Sequence, residues 1–295
     1  MRITIANDEI AFDSDSHGAE LHSLRFTDEE LDYLWMPAEP GPSRTSTCFP
    51  LLGKVPDGRY EFAGREYELQ MHGFARDTDF DVVDRTDDSV TYETTQTAQT
   101  LAAYPFPFRL RVRYSLEGPT LITEYIVDNP GDTTLLYSVG SHPRFACPVD
   151  PAEGLAFTDH HLAFDRPEAP EHLVRTFGQR EAVEAAFSAD RRRLRLDDSQ
   201  FPPEGAFCFG SLDSDRVVIA SDRSARALAL DFPGASYLQV WSLPGSPFVA
   251  LEPWYGAITS NPPLETDRFW DRRAGTLEVA PNESETHRFR ITPVR

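Results

Sequence analysis

The sequence predicts an all-β chain: one large antiparallel sandwich with few short helices, organised as a single domain over residues 1–295. Three observations predict it. Apolar residues recur with period two far more often than with the helical period, and residues 108–116 (Phe-Arg-Leu-Arg-Val-Arg-Tyr-Ser-Leu) alternate without a fault, giving one core face and one wet arginine face. Clusters of Gly, Pro, Asn and Asp punctuate such runs about every eight to twelve residues, a spacing that favours a sandwich over alternating strands and helices. Helical patterning is scarce, with one good candidate at residues 180–187 and a shorter one at 28–34.

The expected elements follow in order. Residues 59–69 form a strand pair around Ala63-Gly64, and 82–95 a second around Asp87-Asp88. The alternating run 108–116 turns at Glu117-Gly118-Pro119 into 121–127, which turns at residues 128–132 into 135–139, so these three strands are expected to form a meander. Further pairs are expected at 217–230 around Asp222-Arg223-Ser224 and at 277–291 around Pro281-Asn282. Residues 165–205, rich in proline and charge, read as a long connection crossing between sheets.

Composition bounds the function. With 295 residues, 40% of them apolar, the chain can bury a substantial core. No run of about eighteen apolar residues exists, and Met1-Arg2-Ile3-Thr4-Ile5 lacks the apolar stretch of a signal peptide, so a cytoplasmic protein is expected. Cys48, Cys147 and Cys208 stand far apart, which argues against a disulfide framework and against zinc. A formal net charge of −20 repels nucleic acid and anionic membranes, and favours a neutral small molecule as substrate.

Three short motifs carry the chemistry. Glu252 stands between the apolar approach Ser246-Pro247-Phe248-Val249-Ala250-Leu251 and the rigid turn Pro253-Trp254-Tyr255-Gly256, and is expected at a strand end because Pro253 brings no N–H to a ladder. His72 precedes Gly73, and His142 lies in Gly140-Ser141-His142-Pro143-Arg144-Phe145; both are expected at strand ends, held by neighbours with special backbone behaviour. Two imidazoles and one carboxylate are the set that paired acid and base catalysis near neutrality requires.

His72-Gly-Phe-Ala-Arg76, Gly140-Ser-His142-Pro-Arg-Phe145 and Glu252-Pro-Trp-Tyr-Gly256 resemble, in order and spacing, the three signatures of the aldose 1-epimerase (mutarotase) superfamily, in its LacX-type branch. The resemblance implies the galactose mutarotase-like β-supersandwich and interconversion of sugar anomers without cofactor or metal. It implies Glu252 as general base, His142 as general acid and His72 as a second imidazole beside the ring oxygen. The single lysine, Lys54, falls where mutarotases carry a substrate-binding arginine, and Arg76 is a further candidate to hold hydroxyls or a phosphate. The partner implied is a sugar, the protein being a monomer or homodimer. The alternatives are a hexose-6-phosphate 1-epimerase, with Arg76, Arg44 and Lys54 as its positive pocket, and a non-catalytic sugar binder. Asp231 is a weak candidate for the substrate-binding aspartate of the family, and Trp254, Tyr255 and Phe74 are candidate platforms for a sugar ring.

Other clusters have plainer explanations. Asp159-His160-His161 resembles a metal cluster, but adjacent strand residues face opposite ways and no third ligand is apparent. Residues 191–198 alternate Arg with Leu and end in acids, as a solvated strand face does. Cys147 reads as a core thiol.

Overall fold

A computed structural model describes residues 1–35, 45–176, 180–201, 205–260 and 263–295. Among the described residues the strands pair antiparallel, with parallel contact confined to isolated bridges such as Phe49–Gly73, and the elements form two large sheets with three small ones. The nine-stranded sheet runs, edge to edge, through Arg193–Arg195, His161–Phe164, Arg216–Ala220, Ala227–Asp231, Ser284–Val294, Thr120–Asp128, Arg109–Glu117, Ser89–Thr95 and Asp81–Arg85. The six-stranded sheet runs through Leu173–Thr176, Ala206–Gly210, Tyr237–Trp241, Phe248–Tyr255, Val139–Ala146 and Thr45–Cys48.

The two large sheets meet through alternating apolar side chains, as sandwich packing demands. Phe164 meets Phe209 with ring centroids 5.7 Å apart, and Tyr255 donates its hydroxyl to Arg288 O at 2.6 Å. The run 109–117 alternates as expected: Leu110, Val112 and Tyr114 are buried while the arginines between them are more exposed, and Arg111 forks onto Asp128 with two bonds of 2.9 Å. A three-stranded sheet (Arg2–Ala6, Ile10–Asp15, Glu20–Phe26) packs on the nine-stranded one, with Tyr114 donating to Ala19 O at 2.7 Å.

Most expected strand pairs form, and four expectations fail for identifiable reasons. The meander stops after two strands: Leu135–Tyr137 pairs with Leu277–Val279, and the chain then enters the six-stranded sheet at Val139. Consequently 277–291 is not a hairpin either, since Ser284–Val294 pairs with Thr120–Asp128 and Ala227–Asp231 instead. Residues 28–34 are not helical, because Asp32 accepts from Leu24 N (3.0 Å) and Leu34 N (2.9 Å), taking donors that a helix would use itself. A short helix does form at Ala98–Ala103, opened by the reciprocal Thr97/Thr100 capping box.

The fourth failure concerns Pro253. It does not end its strand; Phe248–Tyr255 is continuous, buried at all eight positions, and Leu238 pairs with Pro253. On its other side the pairing with Val139–Ala146 is interrupted between Gly140–Trp254 and Arg144–Ala250. Both Pro143 and Pro253, which lack an N–H, fall in that interruption, so no ladder donor is missed there. Glu252 and His142 are therefore mid-strand residues.

Residues 165–205 do cross between sheets, carrying Leu173–Thr176 into one and Arg193–Arg195 into the other, with Arg180–Ala185 helical between them. Among the described residues no helix is long and apolar enough to cross a membrane.

The His72 turn is locked by its neighbour. Gly73 has φ +72°, and a Cβ there would lie 2.1 Å from the Phe49 carbonyl oxygen, so the glycine serves backbone approach to Phe49. Gly73→Ala is expected to cost at least about 2 kcal/mol, from overpacking and a left-handed Cβ together. Urea unfolding measures this, and an unchanged midpoint would contradict it.

Candidate functional site

One rung of the six-stranded sheet holds the candidate chemistry. Arg175 pairs with Cys208, Cys208 with Gln239, Gln239 with Glu252, and His142 with Ser46. The shared register on either side of the interruption puts His142 opposite Glu252. Directly opposed residues project from the same face, so Arg175, Cys208, Gln239, Glu252, His142 and Ser46 all stand on the face away from the sandwich core. The rung on one side carries Gly210, Tyr237, Trp254, Gly140 and Cys48; the rung on the other carries Ala206, Trp241, Ala250 and Arg144. Small residues alternate with aromatic ones. A Cβ on Gly140 would come within 2.7 Å of the Trp254 ring, so glycine is what lets that indole lie across the neighbouring strand.

Glu252 Oε1 lies 3.5 Å from His142 Nδ1, with side chains 2% and 16% exposed. Among the described residues neither His142 Nδ1 nor Glu252 Oε2 has a hydrogen-bond partner. Nδ1 is thus the nitrogen turned toward the carboxylate, and Nε2 is the one available to a ligand. The ring of His72 sits 5.7 Å from that of His142 and 5.8 Å from that of Trp254, edge to face in both cases. His72 itself has φ +65°, a left-handed conformation held by His72 N–H to Gly53 O at 2.7 Å.

Burial dominates the electrostatics. It raises the Glu252 carboxyl well above its ordinary value, against the opposing charges of Arg175 and Arg144. It pushes His142 well below its ordinary value, with His72 and Arg144 adding to the shift. His72 falls to about 3, by burial first and then by the Arg76 and Arg175 charges. Removing a charge from water costs several kcal/mol, so a buried pair of this kind prefers to hold one proton between its members with both neutral. His72 has a defined tautomer: its Nδ1 accepts from Gly53 N–H at 3.2 Å, which puts the remaining proton on Nε2 and makes that atom a donor.

The other expected site residues divide. Arg76, 25% exposed and 3.5 Å from Asp77, is near enough for its charge to act on His72. Lys54 is exposed, while its carbonyl accepts from the Thr259 hydroxyl. Arg44 lies outside the described residues. Asp231 is on the nine-stranded sheet, paired with Arg216 at 3.4 Å, and so is not on the site face. Tyr255 points into the core, and Phe74 packs in the cluster of Phe49, Tyr104 and Phe108; of the three candidate platforms Trp254 faces a site imidazole, that of His72, while Trp241 faces His142. Asp159 is paired with Arg223, and His160 bonds Ala156 O, so these two side chains are engaged structurally.

Sequence reasoning missed Arg175, Arg144, Gln239 and Trp241. Arg175 donates to Gln239 Oε1 (2.9 Å) and Thr259 O (3.1 Å), and its guanidinium lies 5.7 Å from the Trp254 ring centroid. A Cβ on Gly53 would sit 3.9 Å from Arg175 Nη1, so an arginine from a different strand approaches the strip where Lys54 was expected to act. The available signal was the alternation Tyr237-Leu-Gln-Val-Trp241, which puts Gln239 on the same face as two aromatics.

Comparison with known proteins shows the family and the fold. The aldose 1-epimerase family profile matches residues 1–292, and the chain belongs to that family. Within it the chain falls in the LacX-type branch: it is 30% identical over 308 aligned positions to the chromosomal LacX protein of Lactococcus lactis subsp. lactis, covering 99% of each chain. The fold is that of a galactose mutarotase-related enzyme from Lactobacillus acidophilus (TM-score 0.86, 25% identity, 100% of this chain and 98% of that one). A galactose mutarotase-like protein from Lactobacillus casei is as similar (TM-score 0.85, 25% identity, 99% and 100%).

The geometry makes His72 a permanent neutral donor. Nitrogen-15 NMR of labelled protein is expected to show the Nε2–H tautomer unchanged from pH 5 to pH 8. An imidazolium signal growing in near pH 6 would contradict the assignment.

Proposed function

We propose that the protein is an aldose 1-epimerase that interconverts the α and β anomers of an aldose by proton transfer at Glu252 and His142. The observation that carries this is the buried carboxylate–imidazole pair at 3.5 Å, flanked by the donor His72 and by Trp254. The reaction is internally balanced. Glu252 takes the proton of the C1 hydroxyl while protonated His142 gives one to the ring oxygen; the C1–O5 bond breaks and C1 becomes an aldehyde. Rotation about C1–C2 presents the other carbonyl face, and the two transfers then run backwards. His72 Nε2–H donates to the ring oxygen as negative charge develops there.

The proton inventory supports this reading. Ring opening begins with carboxylate and imidazolium and ends with carboxylic acid and neutral imidazole, so the pair carries one proton throughout. Burial in the free protein favours the second arrangement, which matches the open-chain sugar. The charges of Arg175 and Arg144 favour the ionised carboxylate and keep the first arrangement within reach.

The pH dependence follows with its sign. Activity requires one proton on the pair: a second, arriving on His142, abolishes it in acid, and loss of the shared proton abolishes it in alkali. Because burial depresses His142 and raises Glu252, the acid limb of kcat/KM should lie below the ordinary histidine value of 6.5 and the alkaline limb well above the ordinary glutamate value of 4.5. An acid limb at or above 6.5 would contradict this.

Polarimetry on freshly dissolved glucose and galactose tests the roles. Glu252→Gln keeps shape but not basicity, and is expected to lower kcat by about 10²–10⁴-fold. His142→Asn should do the same, and His72→Asn less. The double variant Glu252→Gln/His142→Asn should lose far less than the product of the single losses, since acid and base act in one exchange. Near-normal turnover in Glu252→Gln would leave only a sugar-binding face.

A further inference from the structure

We propose that Arg175 is a positioning residue for the reaction: a bulge in its strand turns it onto the site face, where its guanidinium fixes Gln239 and sets the charge beside Glu252. The proposal rests on Glu252 and His142 being the base and acid.

The bulge carries the assignment. Leu173–Thr176 is the edge strand of the six-stranded sheet, and its pairing with Ala206–Gly210 slips by one residue. Leu173 opposes Phe209, Arg175 opposes Cys208, and Val174 is the extra residue between them. In a regular strand residues two apart share a face. Leu173 and Phe209 belong to the sandwich core, so an unbroken strand would drive Arg175 into that core. The bulge instead brings Arg175 into the rung of Cys208, Gln239 and Glu252 on the opposite face and leaves Val174 exposed. Bulges at sheet edges re-aim side chains in this way.

On that face the guanidinium is held at several points. Nη2 donates to Gln239 Oε1 at 2.9 Å and Nη1 to Thr259 O at 3.1 Å, and the guanidinium carbon lies 5.7 Å from the Trp254 ring centroid. Nη1 also approaches Gly53, whose N–H donates to His72 Nδ1. One side chain thus links the cross-strand neighbour of Glu252 to the turn that holds His72. A guanidinium has no acceptor, so the Gln239 oxygen must face it, and the amide NH2 is the end left to the rest of the face. An amide oxygen turned toward Glu252 would oppose the carboxylate. Both bonds go to neutral oxygens, so they fix the fork without cancelling its charge.

The charged and titratable groups around Glu252 come from several strands. Arg175 and then Arg144 favour its ionised form against burial, His142 lies 3.5 Å away, and the Cys48 and Cys208 thiols feel its charge. His142 answers to burial, His72, Arg144 and Arg76. Removing the Arg175 charge therefore raises Glu252 further. The shared proton then stays bound to higher pH, while the acid limb, set by His142, keeps its place. Ring opening starts from the carboxylate, so kcat falls as well.

The test is the pH profile of glucose and galactose mutarotation, above the spontaneous rate, for Arg175→Gln and Arg175→Lys. Arg175→Gln is expected to lower kcat at least about tenfold, the equivalent of one pKa unit on Glu252. It should also move the alkaline limb of kcat/KM to higher pH with the acid limb unmoved. Arg175→Lys keeps the charge and loses the fork, so it should return the alkaline limb to its wild-type position and recover only part of kcat. Arg175→Met, which preserves the packing of the stem, takes the place of Arg175→Gln should that variant not fold. A side chain needed only for packing would lower Tm or kcat without moving the limb. An unmoved alkaline limb in the neutral variant, or an equal displacement in Arg175→Lys, overturns the proposal and leaves the epimerase reading intact. If the wild type turns over no sugar, that reading fails first, and carbon-13 NMR titration of the Glu252 carboxyl decides the placement: a higher midpoint in Arg175→Gln than in wild type supports it, and an equal midpoint overturns it.

Discussion

The structure turns on the burial of one carboxylate. Glu252, at 2% exposure in the middle of a fully buried strand, faces an imidazole rather than a lysine or arginine of its own rung's nearer positions. A carboxylate so desolvated costs several kcal/mol unless it is neutralised or paired, and the sheet provides both routes: a proton shared with His142, and the positive charges of Arg175 and Arg144. On the proposed reading, the balance between them is what lets the pair exchange a proton with a ligand.

Sheet register delivers this constraint. Cross-strand neighbours share a face, so residues 175, 208, 239, 252, 142 and 46, scattered over the chain, form one line through backbone pairing. The core side of the same strands is ordinary sandwich packing, with Leu251 and Tyr255 among its buried residues. The prolines next to Glu252 and His142 fall where the ladder between their strands is interrupted. The face of the candidate site and the core-packing face thus alternate along the same eight residues.

Much of this was legible in the sequence. Period-two alternation identified the strands at 109–117 and 120–128, and turn residues identified the hairpins around Ala63-Gly64 and Asp222-Arg223-Ser224. What local pattern does not encode is which strand a run will pair with. Leu135–Tyr137 looked like the third strand of a meander and instead changes partner, because pairing over long sequence separations is decided by tertiary packing. For the same reason the motifs of His72, His142 and Glu252 could be named, while Arg175 could not: it lies in the irregular stretch 165–205, and only the pairing with Cys208 shows that it shares their rung. The expectation for Lys54 rests on position in a motif, and position alone does not say that the residue is exposed.

A crystal structure of the Glu252→Gln variant with a bound aldose tests the central claim most directly. The account predicts the anomeric hydroxyl within about 2.6–3.2 Å of the residue 252 side chain, with the ring oxygen facing His142 Nε2 and His72 Nε2. A sugar bound elsewhere, or seated on this face with C1 turned away from residue 252, would contradict it.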